Sequence, residues 1–216
     1  PLESFWCCVG SGIENHVKYG EHIYYHGSDG SVYVNLFISS ELDWKEKGIV
    51  VRQETRFPLG DTIRFSVIGQ KPTSLKMKIR KPHWTGGVTA LLNKKAIPVS
   101  VDADNFLIID RKWKNQVILV LVLPRRLYTE STPDNKDRIA ILYGPLVLAG
   151  DLGNAKPDPV TGVPVFVNER KDVMSWVQPV KGSSLQFETS TVGVPMNVTL
   201  KPLYQFSDRY YSVYWD

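Results

Sequence analysis

Two cysteines in 216 residues, adjacent at Cys7 and Cys8, are all the thiol chemistry this chain holds. Neighbouring cysteines cannot build a disulfide framework, because a vicinal bridge closes a strained ring far from the preferred geometry. The pair is therefore free, metal-bound or reactive. Long apolar runs are missing too. None approaches the roughly 20 residues that a membrane-spanning helix needs. Charge of one sign is scarce: 26 Lys and Arg against 22 Asp and Glu leave a net +4. The short basic pairs Lys94-Lys95 and Arg125-Arg126 read as solvated turns rather than as a nucleic-acid footprint. No Gly-rich phosphate loop and no nucleophile elbow occur, nor any internal repeat. The chain starts at Pro1 with no signal-peptide pattern, which reads as a piece cut from a longer protein.

What the chain has in quantity is aromatic and aliphatic side chains. Hydrophobic residues make up 43%, including 6 Trp, 10 Tyr and 8 Phe. That is enough to bury one large core or two small ones. The pattern changes once along the chain. Ser11-Gly12-Ile13-Glu14 has the form of a capping box, and Ile13, Val17, Gly20 and Tyr24 follow at helical spacing. This predicts a helix over residues 11–26, closed by Gly27 and Gly30. The cysteines would then sit just before its N-terminus, where free amides and the macrodipole favour a thiolate.

After Gly30 the period becomes two. Residues 31–38, 49–57, 62–68, 74–80, 106–110 and 116–123 read as strands. In 74–80 the apolar Leu75, Met77 and Ile79 alternate with polar or basic residues, the mark of a half-buried antiparallel strand. Tight turns are expected at 60–62 and 93–95. Residues 138–150 offer two short strands, and further strands are expected around 184–190, 197–200 and 209–215. Such short strands and turns favour a β-sandwich over a parallel α/β sheet. The polar stretch 129–137 is the candidate boundary between two sandwich-like parts.

Few residues suggest chemistry. Zinc takes four ligands, and Cys7 and Cys8 are able to supply two of them; buried packing thiols are the plainer alternative. Glu14, His16, Glu21, His22 and His26 lie on or near the predicted helix. His22 and His26 are spaced i, i+4 and would share a face that suits a metal, although a solvated helix face is the more common reading. His83 reads as a loop or packing residue. Trp84, Trp113, Trp176 and Trp215 are candidates for stacking on sugar rings, with sandwich core as the favoured alternative.

The run FWCCVGSGIENHVKYGEHIYY, followed by SVYVNLFISSELDW, closely resembles the β-L-arabinofuranosidases of glycoside hydrolase families 127 and 146. LKMKIRKPHW, LIIDRKWKNQVILVLVLPRRL, ILYGPLVLAGD and RYYSVYWD follow in the order the family has them. The resemblance covers essentially the whole chain, and the double-cysteine segment is its most specific motif. The run VGSGIEN after the cysteines is closer to family 146.

The resemblance implies an (α/α)6 catalytic toroid followed by β-sandwich domains. Residues 1–27 would be the last helical piece of that toroid, 28–128 a sandwich domain and 129–216 a second sandwich-like region. The implied reaction is a retaining hydrolysis that releases β-L-arabinofuranose from plant-type glycans. Cys7 would be nucleophile and zinc ligand, and Cys8 a zinc ligand. The resemblance places a third cysteine, a ligand glutamate and the acid/base glutamate upstream of Pro1. Glu14 and Glu21 follow the motif and are not candidates for those roles. On this reading the chain alone is inactive and holds zinc weakly or not at all. The expected partner is an arabinose-containing glycan, with no nucleic acid and no membrane; a homo-oligomer is compatible with the resemblance. The resemblance favours a periplasmic or secreted location. The alternative is a non-catalytic carbohydrate-binding or structural sandwich whose cysteines are incidental.

Overall fold

A computed structural model describes residues 7–114, 116–158, 160, 162–169 and 172–216. It is mostly antiparallel β with one α-helix among the described residues. No described helix is long and apolar enough to cross a membrane. The chain divides into two compact units, residues 1–124 and 125–216.

In the first unit, helix α1 (Cys7–Glu21) is followed by β1 (Tyr24–His26), β2 (Val32–Val34), β3 (Ser40–Trp44), β4 (Ile49–Thr55), β5 (Thr62–Gly69) and β6 (Thr73–Arg80). Then come β7 (Thr89–Leu92), β8 (Lys95–Ile97), β9 (Ser100–Val101), β10 (Phe106–Trp113) and β11 (Val117–Val122). They form a five-stranded sheet in the order β1-β2-β6-β10-β9 and a six-stranded sheet in the order β3-β4-β5-β11-β7-β8. Only the β2–β6 pairing among these is parallel.

The period-2 alternation explains the layers. Leu75, Met77 and Ile79 of β6 are buried, as are Leu107 and Ile109 of β10 in the same sheet. The other sheet contributes Ile63, Phe65 and Val67 from β5 and Leu119 and Leu121 from β11. Each such side chain stabilises the fold by about 1.5–3 kcal/mol when fully buried. Polar groups inside this core are largely bonded. The Trp113 indole N–H donates to the Leu75 carbonyl at 2.8 Å. Gln53, 1% exposed, donates through Nε2 to the carbonyls of Leu36 and Ile38, which pins the connection from β2 to β3. The expected turn at 93–95 is the β7–β8 hairpin, with Asn93 and Lys94 at φ 47° and 69°. Two successive left-handed residues match the twist of a two-residue hairpin.

The second unit contains β12 (Leu127–Ser131), β13 (Ile139–Tyr143), β14 (Leu146–Gly153), β15 (Val165–Phe166) and β16 (Val177–Pro179). It continues with β17 (Phe187–Thr189), β18 (Gly193–Val194), β19 (Thr199–Pro202), β20 (Tyr210–Ser212) and β21 (Tyr214–Trp215). The main sheet runs β12-β13-β14-β19-β17-β16, with β20 on β14 and β21 on β13. Residues 129–137 form the end of β12 and the turn into β13. Ile141, Leu148, Val173, Trp176, Phe187, Leu200 and Trp215 build its core. Trp215 stacks on Phe166 at 4.7 Å and lies over Gly150, where a β-carbon would overlap its ring. Arg138 closes the terminus with a two-pronged pair to Asp216, at 2.7 and 2.9 Å.

Two expectations about the N-terminal helix need correction. The helix already includes Cys7, the first described residue, so Ser11 lies inside it and the capping-box pattern marks no start. It stops at Glu21, because Tyr24–His26 pairs with Val32–Val34 and gains ladder bonds there. Gly27 and Gly30 therefore shape the β1–β2 turn: the Gly27 N–H donates to the Ser31 carbonyl, and Gly30 sits at φ 73°.

Candidate functional site

Both cysteines lie within helix α1 rather than just ahead of it. The Cys8 thiol is exposed and not disulfide-bonded. The side chain of Cys7 lies outside what is described. From residue 11 to residue 22 every residue is exposed, including Ile13 at 60% and Val17 at 72%. The apolar positions that made the helix legible thus do not pack on the sandwich. Its attachment is at its end: Ile23 is buried, the Asn35 N–H donates to the Ile23 carbonyl at 2.9 Å, and the Asn35 side chain donates to the His22 carbonyl at 3.1 Å.

The other polar candidates near the helix are not brought together. Glu21 pairs with Lys18 at 3.1 Å, both well exposed. His16 makes an edge contact with Tyr19. His22 follows the helix and bonds the Tyr25 hydroxyl through Nδ1. His26 is in β1, so the i, i+4 pair does not share a helical face. Among the described residues no group of three or more His, Cys, Asp and Glu side chains could hold a metal ion. The adjacent thiols have the right donor chemistry for zinc, but the described residues do not complete a four-donor site.

The tryptophans singled out in the sequence belong to the cores. Trp84, Trp113, Trp176 and Trp215 are all 5% exposed or less. His83 is an exposed loop residue. A further tryptophan, the half-buried Trp44, lay outside the strands expected from the sequence. Strand β3, reading SELDW, alternates weakly and has only Leu42 and Trp44 as apolar residues. Its edge position beside β4 explains that composition. Polar and charged residues suit an exposed strand edge.

Strands β1 and β3 are edge strands of the two sheets of the first unit. A cleft of about 590 Å³ opens between them. Two contacts tie its walls: the Tyr24 hydroxyl meets Ser40 Oγ at 3.0 Å, and the His26 ring meets the Trp44 ring edge-on at 5.1 Å. Lys47 Nζ lies 5.0 Å from the Trp44 ring centroid. Tyr24 is half-buried, and that burial pushes its hydroxyl pKa up, with the Ser40 bond opposing.

Residues 31–125 match the family model described as "Beta-L-arabinofuranosidase, GH127 middle domain". Residues 150–216 match a domain of unknown function, DUF4986. Comparison with curated proteins gave no match. Among solved structures, the fold is similar to one described as a glycoside hydrolase, with TM-score 0.70 and 17% identity over 98% of this chain and 40% of that one. It is also similar to a GH127 β-L-arabinofuranosidase from Geobacillus stearothermophilus T6, with TM-score 0.64 and 17% identity over 92% of this chain and 35% of that one. A GH127 β-arabinofuranosidase gives TM-score 0.60 and 21% identity over 89% and 36%. The chain thus spans between 35% and 40% of the length of these structures.

Proposed function

We propose, from the match of residues 31–125 to the model of the GH127 β-L-arabinofuranosidase middle domain, that this chain is the sandwich-bearing part of a retaining glycosidase that releases β-L-arabinofuranose from plant-type glycans. The observation that carries this reading is the family match directly behind a helix that holds Cys7 and Cys8.

In the proposed reaction the Cys7 sulfur attacks the anomeric carbon. The C–S bond forms as the bond to the glycosidic oxygen breaks, and that oxygen takes a proton from an acid. Water then displaces the sulfur, giving its proton to the same group, and two inversions restore the configuration. The resemblance places the acid/base upstream of Pro1, and Glu14 and Glu21, exposed on the helix behind the motif, are not assigned that role. Zinc, when bound, would keep a coordinated thiol deprotonated. Cys7 and Cys8 would hold it together with donors from outside the described residues. The chain alone is accordingly expected to be inactive.

The test is turnover of a 4-nitrophenyl β-L-arabinofuranoside by the intact enzyme, by its Cys7→Ser form and by this chain alone. Loss of an acid/base group typically lowers rate by about 10²–10⁴-fold, so the chain alone should release no 4-nitrophenol above background. Wild-type turnover by Cys7→Ser, or comparable turnover by the chain alone, would overturn the proposal.

A further inference from the structure

We propose that the cleft between β1 and β3 is a non-catalytic binding site for a neutral, arabinose-containing oligosaccharide. Three observations carry this. The first is concavity at a place where sandwiches are open. The cleft, at about 590 Å³, lies in the range of small-molecule sites, and it is floored by Val32, 1% exposed. An apolar floor with polar rims suits a ligand that has both C–H faces and hydroxyls.

The second is that the aromatic walls are held in place before any ligand arrives. His26 packs edge-on against Trp44, and Lys47 stands over that ring. Tyr24 is bonded to Ser40, whose hydroxyl also donates to the Ile38 carbonyl at 2.8 Å. Tyr25, 45% exposed, is bonded to His22. Rings fixed in this way lose little freedom on binding, which lowers the entropic cost of capture. Aromatic rings present broad apolar faces together with polar handles, and the C–H face of a sugar ring fits both.

The third is charge. Asp43 and Glu46 stand at the rim beside Lys47. Mixed signs at one mouth disfavour a strongly charged ligand of either sign, because one rim group repels it. Neutral hydroxyls are served by both, since carboxylates accept from them and the ammonium donates to them. Sequence reading had no signal for this site beyond the aromatic content, because its residues come from three short strands, β1, β2 and β3, and the helical turn Lys45–Lys47.

The choice of arabinose rests on the proposed function, whereas the cleft's fitness for a neutral glycan does not. The probe is an arabinan-derived oligosaccharide titrated into this chain, followed by amide chemical shifts and calorimetry. Saturable binding is expected, with shifts at Tyr25, Asp43 and Trp44. Trp44→Ala should weaken it about tenfold, and Tyr25→Ala, at an exposed ring, should weaken it without altering the melting temperature. Xylo-oligosaccharide and polyglutamate serve as comparisons. No saturation at millimolar arabino-oligosaccharide, equal affinity in both variants, or preference for either comparison ligand would overturn the proposal. Covalent trapping on Cys7 reads out the catalytic proposal separately, so binding without trapping sinks that one and leaves the cleft standing.

Discussion

Replacing Gly150 by alanine probes the packing of the second unit at its tightest point. Gly150 lies in β14, opposite Ser212 of β20 and Leu200 of β19. A β-carbon there would press into Cζ2 and Cη2 of Trp215 and Cγ1 of Val198, closer than real β-carbons approach other atoms. None of these groups gives way easily. Trp215 is 1% exposed and stacked on Phe166, and Val198 is 3% exposed in the same core. Overpacking of a filled core typically costs about 1–3 kcal/mol, and with rigid neighbours the upper half of that range is expected. For a unit of this size about 2 kcal/mol shifts the melting temperature by roughly 8–16 °C. Thermal unfolding followed by near-ultraviolet circular dichroism measures this. A second variant isolates the cause: in a Trp215→Phe background the ring is smaller, so Gly150→Ala should cost at least about 1 kcal/mol less. A shift under about 2 °C, or an equal cost in both backgrounds, would refute the reasoning.

Two further outcomes follow from the same geometry. Arg138 holds Asp216 below the ordinary carboxylate range through a direct hydrogen bond and its charge. A carboxylate with a depressed folded-state pKa contributes stability above its unfolded value of about 3.9, and that contribution is lost as pH falls through the folded value. Unfolding of wild type and Asp216→Asn should therefore differ near neutrality and converge in acid; a difference that persists below both values would contradict this. For the metal, this chain dialysed against a chelator and refilled should retain less than stoichiometric zinc by elemental analysis, whereas stoichiometric retention would mean that the chain completes the site itself.

Much of the first unit was legible because alternation and burial share one cause. Leu75, Met77 and Ile79 alternate with polar or basic residues, and only one register buries all three. The same holds for Ile63, Phe65 and Val67 of β5, whereas β11 was legible as a short, continuous apolar run. The buried tryptophans were read as core, and they are core. The helix start was misread because Ser11 and Glu14 satisfy a capping pattern that two residue types meet often by chance, whereas the helix already includes Cys7. The helix end was misplaced because Tyr24 fits the helical period but gains more by pairing with Val34 across the β1–β2 ladder. Strand β3 was invisible for a different reason. An edge strand needs little apolar alternation, since ladder bonds to β4 hold it. Missing β3 also hid Trp44, whose partner His26 lies eighteen positions away in the chain and on another sheet. The cysteine pair was legible as a motif only, because the roles proposed for it depend on groups that the family resemblance places upstream of Pro1.

The central claim is that Cys7 is the nucleophile of a retaining reaction. The most direct measurement is covalent trapping in the intact enzyme with a slow arabinofuranosyl substrate, followed by peptide mass spectrometry. One sugar mass on the peptide that contains Cys7, absent in Cys7→Ser and present in reduced amount in Cys8→Ser, is the predicted result. A sugar attached to any other residue, or full trapping by Cys7→Ser, would contradict the account and leave both thiols structural.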